Sequence, residues 1–305
     1  MFSTKAGATK LLIGVVVGLI VFKVVVGLVT NSISILAQAA DSLLDLFAGV
    51  ITFSAIRFAA KPADAEHQYG HGKAEDIAGV GQGILIFVAG GLIIYSAIDR
   101  IITRNYSIAH SEAGIAVMAV SIVVSIFLSR HLLKVARRTG SIALEANARN
   151  IAADVYSTSA VLVGLAIVAF TKHRLDIIDP VLAIGVAIYI LKVAVDTVRK
   201  PVAGLLDETL PPSQQAAIED CLGKHSREVS GYHALRTRRA GSQSYIDLHL
   251  VMAGDISLEQ AHQICDRIEV EIESVLHEAS VVIHAEPCDS ECEQCLAICS
   301  KRRTS

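Results

Sequence analysis

Two pairs of polar residues each lie inside a long apolar stretch of the sequence. Asp41 and Asp45 form one pair, Asn150 and Asp154 the other, and the members of each pair are four residues apart. Residues at this spacing share one face of an α-helix, so each pair could present two oxygen donors to a small ion between two helices. A charge at the centre of a bilayer costs roughly 2.5–3.5 kcal/mol on insertion scales, which makes three such carboxylates costly unless function requires them.

A structural alternative is that the three Asp residues cap helix ends at a membrane interface. Asp41 argues against it, because residues 33–58 are apolar on both sides of the first pair. A further charge, Lys23, lies inside the first apolar stretch. Either its long side chain reaches toward a membrane interface, or it has a partner within a helix bundle.

The elements that would position these residues are membrane-spanning helices. Hydrophobic residues make up 52% of the chain, charged residues only 19%, and the mean hydropathy is +0.52. A helical span needs about 20 mostly apolar residues. Six stretches qualify: 10–30, 33–58, 77–102, 110–135, 142–170 and 177–198. We interpret the first as a span and not as a cleaved signal peptide, because it exceeds a short apolar core and has no convincing small-residue cleavage site.

The charges of the loops predict the orientation of the six spans. Both termini would lie on one side, and that side would hold most of the loop Lys and Arg residues. The opposite side would hold only Arg100, Arg104, Lys172 and Arg174. The positive-inside rule therefore places both termini in the cytoplasm, in a protein of the cell inner or plasma membrane. The net charge of −3 and the lack of a concentrated basic patch give no indication of a nucleic-acid partner.

The sequence after the last span predicts a small α+β domain. Pro212 and Ser213 suit the start of a helix over 213–226. Alternating polar and apolar residues indicate two strands, one beginning near His233 and one over 245–251. A helix over 258–278 and a strand over 280–284 complete the order α, β, β, α, β, with helices on one face of the sheet. We divide the chain into a six-helix membrane domain (1–204), an α+β domain that would dimerise (205–287) and a Cys-rich tail (288–305).

Three segments resemble the signature sequences of the cation diffusion facilitator family. They read NSISILAQAADSLLD (31–45), PADAEHQYGHGKAE (62–75) and LEANARNIAAD (144–154), and the similarity extends from about residue 8 to residue 287. The resemblance implies a homodimeric exporter with six transmembrane helices in the lipid bilayer and a cytoplasmic ferredoxin-like domain similar to a metallochaperone. Such an exporter exchanges a divalent transition-metal ion for protons, so we expect a secondary transporter and not an enzyme.

The resemblance places Asp41, Asp45, Asn150 and Asp154 at the transport site of the family, between the second and fifth helices. The position of Asn150 usually carries His in the family, and its replacement leaves a site built only from oxygen donors. Oxygen ligands suit harder ions such as Mn²⁺, whereas imidazole suits Zn²⁺. We therefore expect Mn²⁺ or Fe²⁺ as the transported ion, with Zn²⁺ as a third candidate. The proton-to-metal ratio stays open, because an amide does not titrate near pH 7.

A second cluster, Asp64, His67 and His71, lies in the loop between the second and third helices. Its mixed oxygen and nitrogen donors are of a kind that binds Zn²⁺ or a comparable ion. Spacing alone favours a solvated polar loop over a metal site. These positions coincide with the loop metal site of the family, so the resemblance favours a metal site here.

A third cluster lies in the α+β domain, at positions that match cytoplasmic metal sites of the family. The resemblance implies a binuclear metal site at the dimer interface, where a bound metal ion would regulate transport. The candidate ligands are His233, His249, His262, His284 and Glu286, with Asp247 as a weaker candidate. Divalent metal ions would thus act both as substrate and as regulator.

Lys73 and Asp207 match residues that form a charge interlock in the family, at the junction of the membrane and soluble domains. Two separate interfacial charges are the alternative. Exposed ion pairs contribute only about 0–1 kcal/mol, so the importance of an interlock would come from its position at a hinge.

The tail carries four cysteines at steps of four, three and four: Cys288, Cys292, Cys295 and Cys299. On a helix this spacing would align the thiols along one stripe. In a reducing cytoplasm disulfides are not expected, so the thiols would be free or would bind a soft metal ion such as Zn²⁺.

A non-transporting, metal-sensing membrane scaffold is the alternative function, and the carboxylates within the membrane argue against it. An enzyme is disfavoured, because the sequence shows no nucleophile with a positioned base and no nucleotide-binding loop. Gly79, Gly81 and Gly83 in the third span could imitate such a loop. Within an apolar helix, we interpret them as residues that permit close packing of helices.

Overall fold

The computed structural model describes residues 4–29, 33–103, 112–170, 178–276 and 278–288. The chain divides into two compact units, Met1–Val202 and Ala203–Ser305. Each unit has its own hydrophobic core.

The first unit is built from six long helices, and the six helices expected from the sequence are confirmed. They are α1 (Lys5–Val29), α2 (Ile33–Ala59), α3 (Lys73–Thr103), α4 (Glu112–Thr139), α5 (Ile142–Phe170) and α6 (Ile178–Leu205). Within the described residues, three helical segments are long and apolar enough to cross a membrane: Lys5–Val29, Lys73–Thr103 and Ile115–Thr139. Large apolar side chains such as Phe47, Leu92 and Phe127 lie exposed on the outside of the helices, as expected where lipid replaces water.

Glycines allow α3 to approach α6 closely. A Cβ atom at Gly79 would lie 2.6 Å from Cγ of Pro201, and one at Gly83 would lie 2.2 Å from Cγ2 of Val198. The packing role expected for these two residues is therefore confirmed. The same expectation is wrong for Gly81, where an added Cβ would meet no atom of the described structure within 4 Å, because this position faces away from α6.

The second unit has the predicted order of elements. It contains α7 (Pro212–Lys224), β1 (Gly231–Ala240), β2 (Gln243–Met252), α8 (Leu258–Val275) and β3 (Ala279–Pro287). The sheet order is β1-β2-β3, with β1 antiparallel and β3 parallel to β2. A parallel pair needs a crossover, which α8 supplies. Ser257 and Gln260 form a capping box that starts α8.

The core of the second unit lies between one face of the sheet and the two helices. Ile246, Leu248 and Leu250 of β2 alternate toward this core and pack with Ile218 of α7 and Ile268 of α8. Successive side chains of a strand point to opposite faces, so the residues between them lie on the other face of the sheet. That second face carries the histidines considered below.

Candidate metal sites

Three of the four transport-site candidates meet between α2 and α5. Nδ2 of Asn150 donates a hydrogen bond to Oδ1 of Asp45 at 3.3 Å, and Asp45 and Asp154 line one cavity of about 60 Å³. Both carboxylates lie in the middle of their helices, which excludes helix capping for these two residues. Asp41 belongs to α2, but its side chain lies outside the described part of the structure.

The cavity lies among α1, α2, α4 and α5, and most of its polar lining was not anticipated from the sequence. The lining residues are Val16, Leu19, Lys23, Ser42, Asp45, Ser121, Ile122, Ser125, Leu128, Ile151, Asp154, Val155 and Thr158. They include hydroxyl groups at a spacing of four on α4, and a hydroxyl four residues after Asp154 on α5. Hydroxyl and carboxylate oxygens around a small cavity can hold water or a small cation.

A buried polar junction, formed by Thr52, Gln82 and Asn147, ties together α2, α3 and α5. Oγ1 of Thr52 accepts hydrogen bonds from Nε2 of Gln82 at 3.3 Å and from Nδ2 of Asn147 at 3.2 Å. Nε2 of Gln82 also donates to the backbone carbonyl of Ala48 at 3.0 Å. Thr52 lies two turns from Asp45 on α2, so the polar junction fixes α2 against α5, the two helices that carry the transport-site candidates. An amide within the apolar third span, Gln82, is the sequence signal that points to this junction.

The structure brings the three candidate ligands of the loop cluster together. Asp64 lies 3.3 Å from Nδ1 of His67 and 3.3 Å from Nε2 of His71, and one ligand atom from each residue lies within 4.8 Å of the others. The side chain of His71 is only 3% exposed and packs edge-on against Phe58. A hydrogen bond from the His67 backbone N–H holds the pKa of Asp64 below its usual value, so the carboxylate is ionised and able to bind a cation.

The α+β domain gathers three histidines around Glu286 on the open face of its sheet. Nε2 of His233 lies 2.9 Å and Nδ1 of His249 lies 2.8 Å from the Glu286 carboxylate, and the ligand atoms of these three residues lie within 4.8 Å of one another. Nε2 of His284 lies 3.6 Å from the same carboxylate but is not part of that group of ligand atoms. His249 and His284 are register partners on β2 and β3. The hydrogen bond with His233 is the largest of the contacts that lower the pKa of Glu286.

Two other candidates do not join this histidine cluster within one chain. His262 lies on α8, where its side chain is 74% exposed and pairs with Asp266 at 3.5 Å. Asp247 lies on β2, opposite Arg236 of β1 and Val282 of β3. Its carboxylate is not part of the set of mutually close ligand atoms that contains His249. Participation of His262 in a shared site at a dimer interface stays a prediction, because it requires a second copy of the chain.

The structure describes only some of the residues predicted for the charge interlock and for the tail thiolate site. Lys73 is the first residue of α3, and Asp207 lies 3.4 Å from Nη1 of Arg238 in the second unit, so their interlock stays a prediction. Cys288 is 3% exposed, packs against Val251 and donates its backbone N–H to the carbonyl of Met252. Cys292, Cys295 and Cys299 lie outside the described residues.

Comparisons with known proteins match two successive segments of the chain that correspond closely to the two units. The cation efflux transmembrane domain matches residues 10–206, and the cytoplasmic domain of cation efflux proteins matches residues 210–288. The cation-efflux pump FieF of Cronobacter sakazakii is 34% identical over 270 residues, which are 88% of each chain. The transporter sll1263 of Synechocystis is 32% identical over 85% of this chain and 83% of its own.

Two similar solved structures each cover about a quarter of this chain. The transporter CzrB in its zinc form is 37% identical and covers 27% of this chain and 92% of its own, with a TM-score of 0.25. The metal-bound C-terminal domain of the CzcD transporter from Thermotoga maritima is 23% identical and covers 27% of this chain and 100% of its own, with a TM-score of 0.24. On the strength of the two domain matches and of the full-length relatives, this chain is an integral-membrane transporter for efflux of divalent cations and belongs to the cation diffusion facilitator family.

Proposed function

We propose that the protein exports Mn²⁺ or Fe²⁺ from the cytoplasm in exchange for protons, with Zn²⁺ as a third candidate substrate. The observation that carries this proposal is the hydrogen bond between Asn150 and Asp45 beside the cavity that both Asp45 and Asp154 line. An amide that donates through its nitrogen keeps its carbonyl oxygen as an acceptor. The site then offers amide and carboxylate oxygens to the ion, and no described residue that lines the cavity is a His or Cys.

The choice of ion follows from this donor set. Oxygen donors bind harder divalent ions, while imidazole and thiolate groups favour Zn²⁺ and softer ions. The affinity of a given site rises from Mn²⁺ through Fe²⁺ to Cu²⁺ and falls again at Zn²⁺, so selectivity depends on the type of ligand and its geometry. A site without nitrogen or sulfur ligands therefore binds Zn²⁺ less selectively than a site that contains a histidine.

Proton exchange follows from the charge of the empty site. Carboxylates that converge on one cavity repel one another, and protons relieve that repulsion when the metal ion is absent. Metal entering from the cytoplasm displaces the protons, and protons displace the metal on the opposite side of the membrane. Rocking of the helices around a fixed site near the membrane midplane supplies alternating access.

We further propose that the protein works as a homodimer with both termini in the cytoplasm. The cytoplasmic domain would bind regulatory metal through His233, His249, His284 and Glu286, joined by His262 of the same or the second copy. The convergence of three histidines on one carboxylate supports a metal-binding role. The cluster formed by Asp64, His67 and His71 would be a separate metal site.

Metal uptake into proteoliposomes with an internal pH dye tests the transport proposal. The unmutated chain should move Mn²⁺ or Fe²⁺ with opposite proton movement. Asp45→Ala and Asp154→Ala should each lower the rate by more than the roughly 10–100-fold typical of losing an outer-shell partner. Asp99→Ala is the matched control, because this carboxylate lies exposed on α3 and outside the cavity lining. Unchanged transport by either cavity variant would overturn the assignment, and no transport of any ion would favour a metal-sensing scaffold.

A further inference from the structure

Lys23 is a buried cation in the C-terminal third of α1, six residues before the helix ends at Val29, and is only 9% exposed. Its Nζ donates to Oγ of Ser42 at 2.8 Å and to the backbone carbonyl of Gln38 at 3.4 Å, both on α2. Of the two interpretations open from the sequence, a partner inside the helix bundle is thus the one observed. A cation at this depth is costly and is usually tied to function.

The position of Ser42 places the ammonium group beside the transport site. Ser42 and Asp45 are three residues apart on α2, a spacing that brings Cβ atoms to about 5–6 Å. Lys23, Asp45 and Asp154 line the same cavity of about 60 Å³. The helices that carry Lys23 and Ser42 are also in close contact, since a Cβ atom at Gly27 would lie 2.8 Å from Cδ2 of Leu36. The ammonium group is therefore held at the wall of the cavity.

We propose that Lys23 sets the metal affinity of the transport site, as a resident positive charge that weakens binding of the transported ion enough for it to leave. This inference rests on the proposed function, in which Asp45 and Asp154 hold the ion. A site of converging carboxylates would bind a divalent cation tightly, whereas transport requires binding that is also easily reversed. A fixed positive charge beside those carboxylates opposes a second cation, and the low polarity of the interior strengthens that opposition.

A purely structural role makes a different prediction. If Lys23 only attaches α1 to α2, its replacement loosens the bundle and leaves metal affinity unchanged or lowers it. If its charge opposes the transported ion, a neutral replacement raises metal affinity. The sign of the change in metal affinity thus separates the two roles.

The experiment measures the Kd for Mn²⁺ and Zn²⁺ by calorimetry on the full-length protein in detergent. The component that disappears in Asp45→Ala is assigned to the transport site. Lys23→Gln and Lys23→Met should each bind metal at this site about tenfold more tightly, equivalent to about 1.4 kcal/mol. Both should also release it more slowly in stopped-flow measurements. Lys23→Arg keeps the charge and should stay within about twofold of the unmutated chain.

Unchanged or weaker binding by the neutral variants would overturn the proposal. If they do not fold, Ser42→Ala still tests it, because this change keeps the charge and removes its anchor. A freed ammonium group would approach the carboxylates, so metal should bind more weakly, and an unchanged Kd in Ser42→Ala would contradict the proposal. If Asp45→Ala removes no binding component, the proposed transport site fails, which is a separate outcome.

Discussion

At position 150 an amide stands beside the carboxylate of Asp45, and in the proposed transport site this choice of side chain would determine the donor chemistry. The amide donates to Asp45 through its nitrogen, so its oxygen remains a hydrogen-bond acceptor and a potential metal ligand. An imidazole at this position would supply a nitrogen donor and a group that titrates near neutral pH. If the proposed function holds, position 150 influences both the choice of ion and the number of protons exchanged.

Asn150→His should shift the substrate preference from Mn²⁺ toward Zn²⁺, because imidazole is a better ligand for Zn²⁺ than for Mn²⁺. We expect the ratio of Zn²⁺ to Mn²⁺ uptake to rise at least about tenfold, since changing even an outer-shell partner of a metal site alters affinity or activity by roughly 10–100-fold. Uptake into proteoliposomes at matched metal concentrations measures the ratio. Asn150→Gln keeps the amide and is the control. Equal ratios for the unmutated chain and Asn150→His would contradict the oxygen-donor argument.

Glu271 connects the two helices of the cytoplasmic domain. Its carboxylate lies 2.8 Å from Nε2 of His225 and 3.0 Å from Nζ of Lys224. The hydrogen bond with His225 is the main cause of the lowered pKa of Glu271. A carboxyl whose pKa falls on folding stabilises the fold above its unfolded pKa, and this contribution is lost as the pH drops through the folded pKa.

Glu271→Gln should therefore lower the free energy of unfolding of the cytoplasmic domain at pH 7. The difference from the unmutated chain should shrink as the pH falls below the ordinary Glu value of 4.5. Pulse proteolysis of the full-length protein in urea, followed through loss of the cytoplasmic domain, measures both quantities. Glu273→Gln, two residues further along α8 and exposed, is the control. A difference that stays constant between pH 7 and pH 3 would rule out this account.

At the level of elements, α3 holds the bundle together through contacts on different faces. Gly79 and Gly83 lie against α6, while Gln82 bonds to α2 within the polar junction. Interhelical hydrogen bonds in membranes contribute about 0.6 to 2 kcal/mol, so close packing of small residues matters as much as polar contacts. The position of α3 thus depends on both.

Gly83→Ala should destabilise the protein by about 1–3 kcal/mol, the usual range for an overpacked position. The added methyl would meet the side chain of Val198, and the backbone nitrogen of Val198 would lie only 3.3 Å from the new Cβ atom. Gly81→Ala is the matched control and should be neutral or stabilising by up to about 1 kcal/mol, because Ala has the higher helix propensity. Thermal unfolding in detergent, followed by circular dichroism, compares the two. If both variants unfold alike, the close approach of α3 and α6 does not limit stability.

At the scale of the whole molecule, the proposed metal site of the cytoplasmic domain would let metal control assembly. His233, His249 and Glu286 present ligand atoms within 4.8 Å of one another on an open sheet face. A metal ion that binds the dimer more tightly than the monomer stabilises the dimer by mass action. Metal should therefore tighten dimerisation of this protein.

His249→Ala should remove most of the metal-dependent gain in dimer affinity, because it deletes the central ligand of the histidine cluster. Sedimentation of the full-length protein in detergent, with and without Zn²⁺, measures the monomer–dimer equilibrium. His225→Ala removes a histidine of the same domain that pairs with Glu271 instead, and should keep the metal response. A normal metal response in His249→Ala would place the regulatory metal elsewhere.

The amino-acid sequence by itself determined the elements and the types of ligand. Six apolar stretches of spanning length dictate six helices, and alternating strands with a capped helix dictate the α+β domain, because both patterns are local. The spacing of Asp45, Asn150 and Asp154 likewise indicated a shared site on two helices. The bounds of the six helices differ from the predicted spans by only a few residues at most ends.

Only the tertiary structure decided which side chains meet. The contact of Lys23 with Ser42, the polar junction around Thr52 and the separation of His262 from Glu286 join or divide residues far apart in the chain. Such contacts depend on how helices rotate and approach one another, and a local pattern does not encode these quantities. Gly81 and Gly83 show most clearly what a local pattern leaves undetermined. They are identical residues two positions apart, but Gly81 faces open space among the described residues, whereas Gly83 lies against α6.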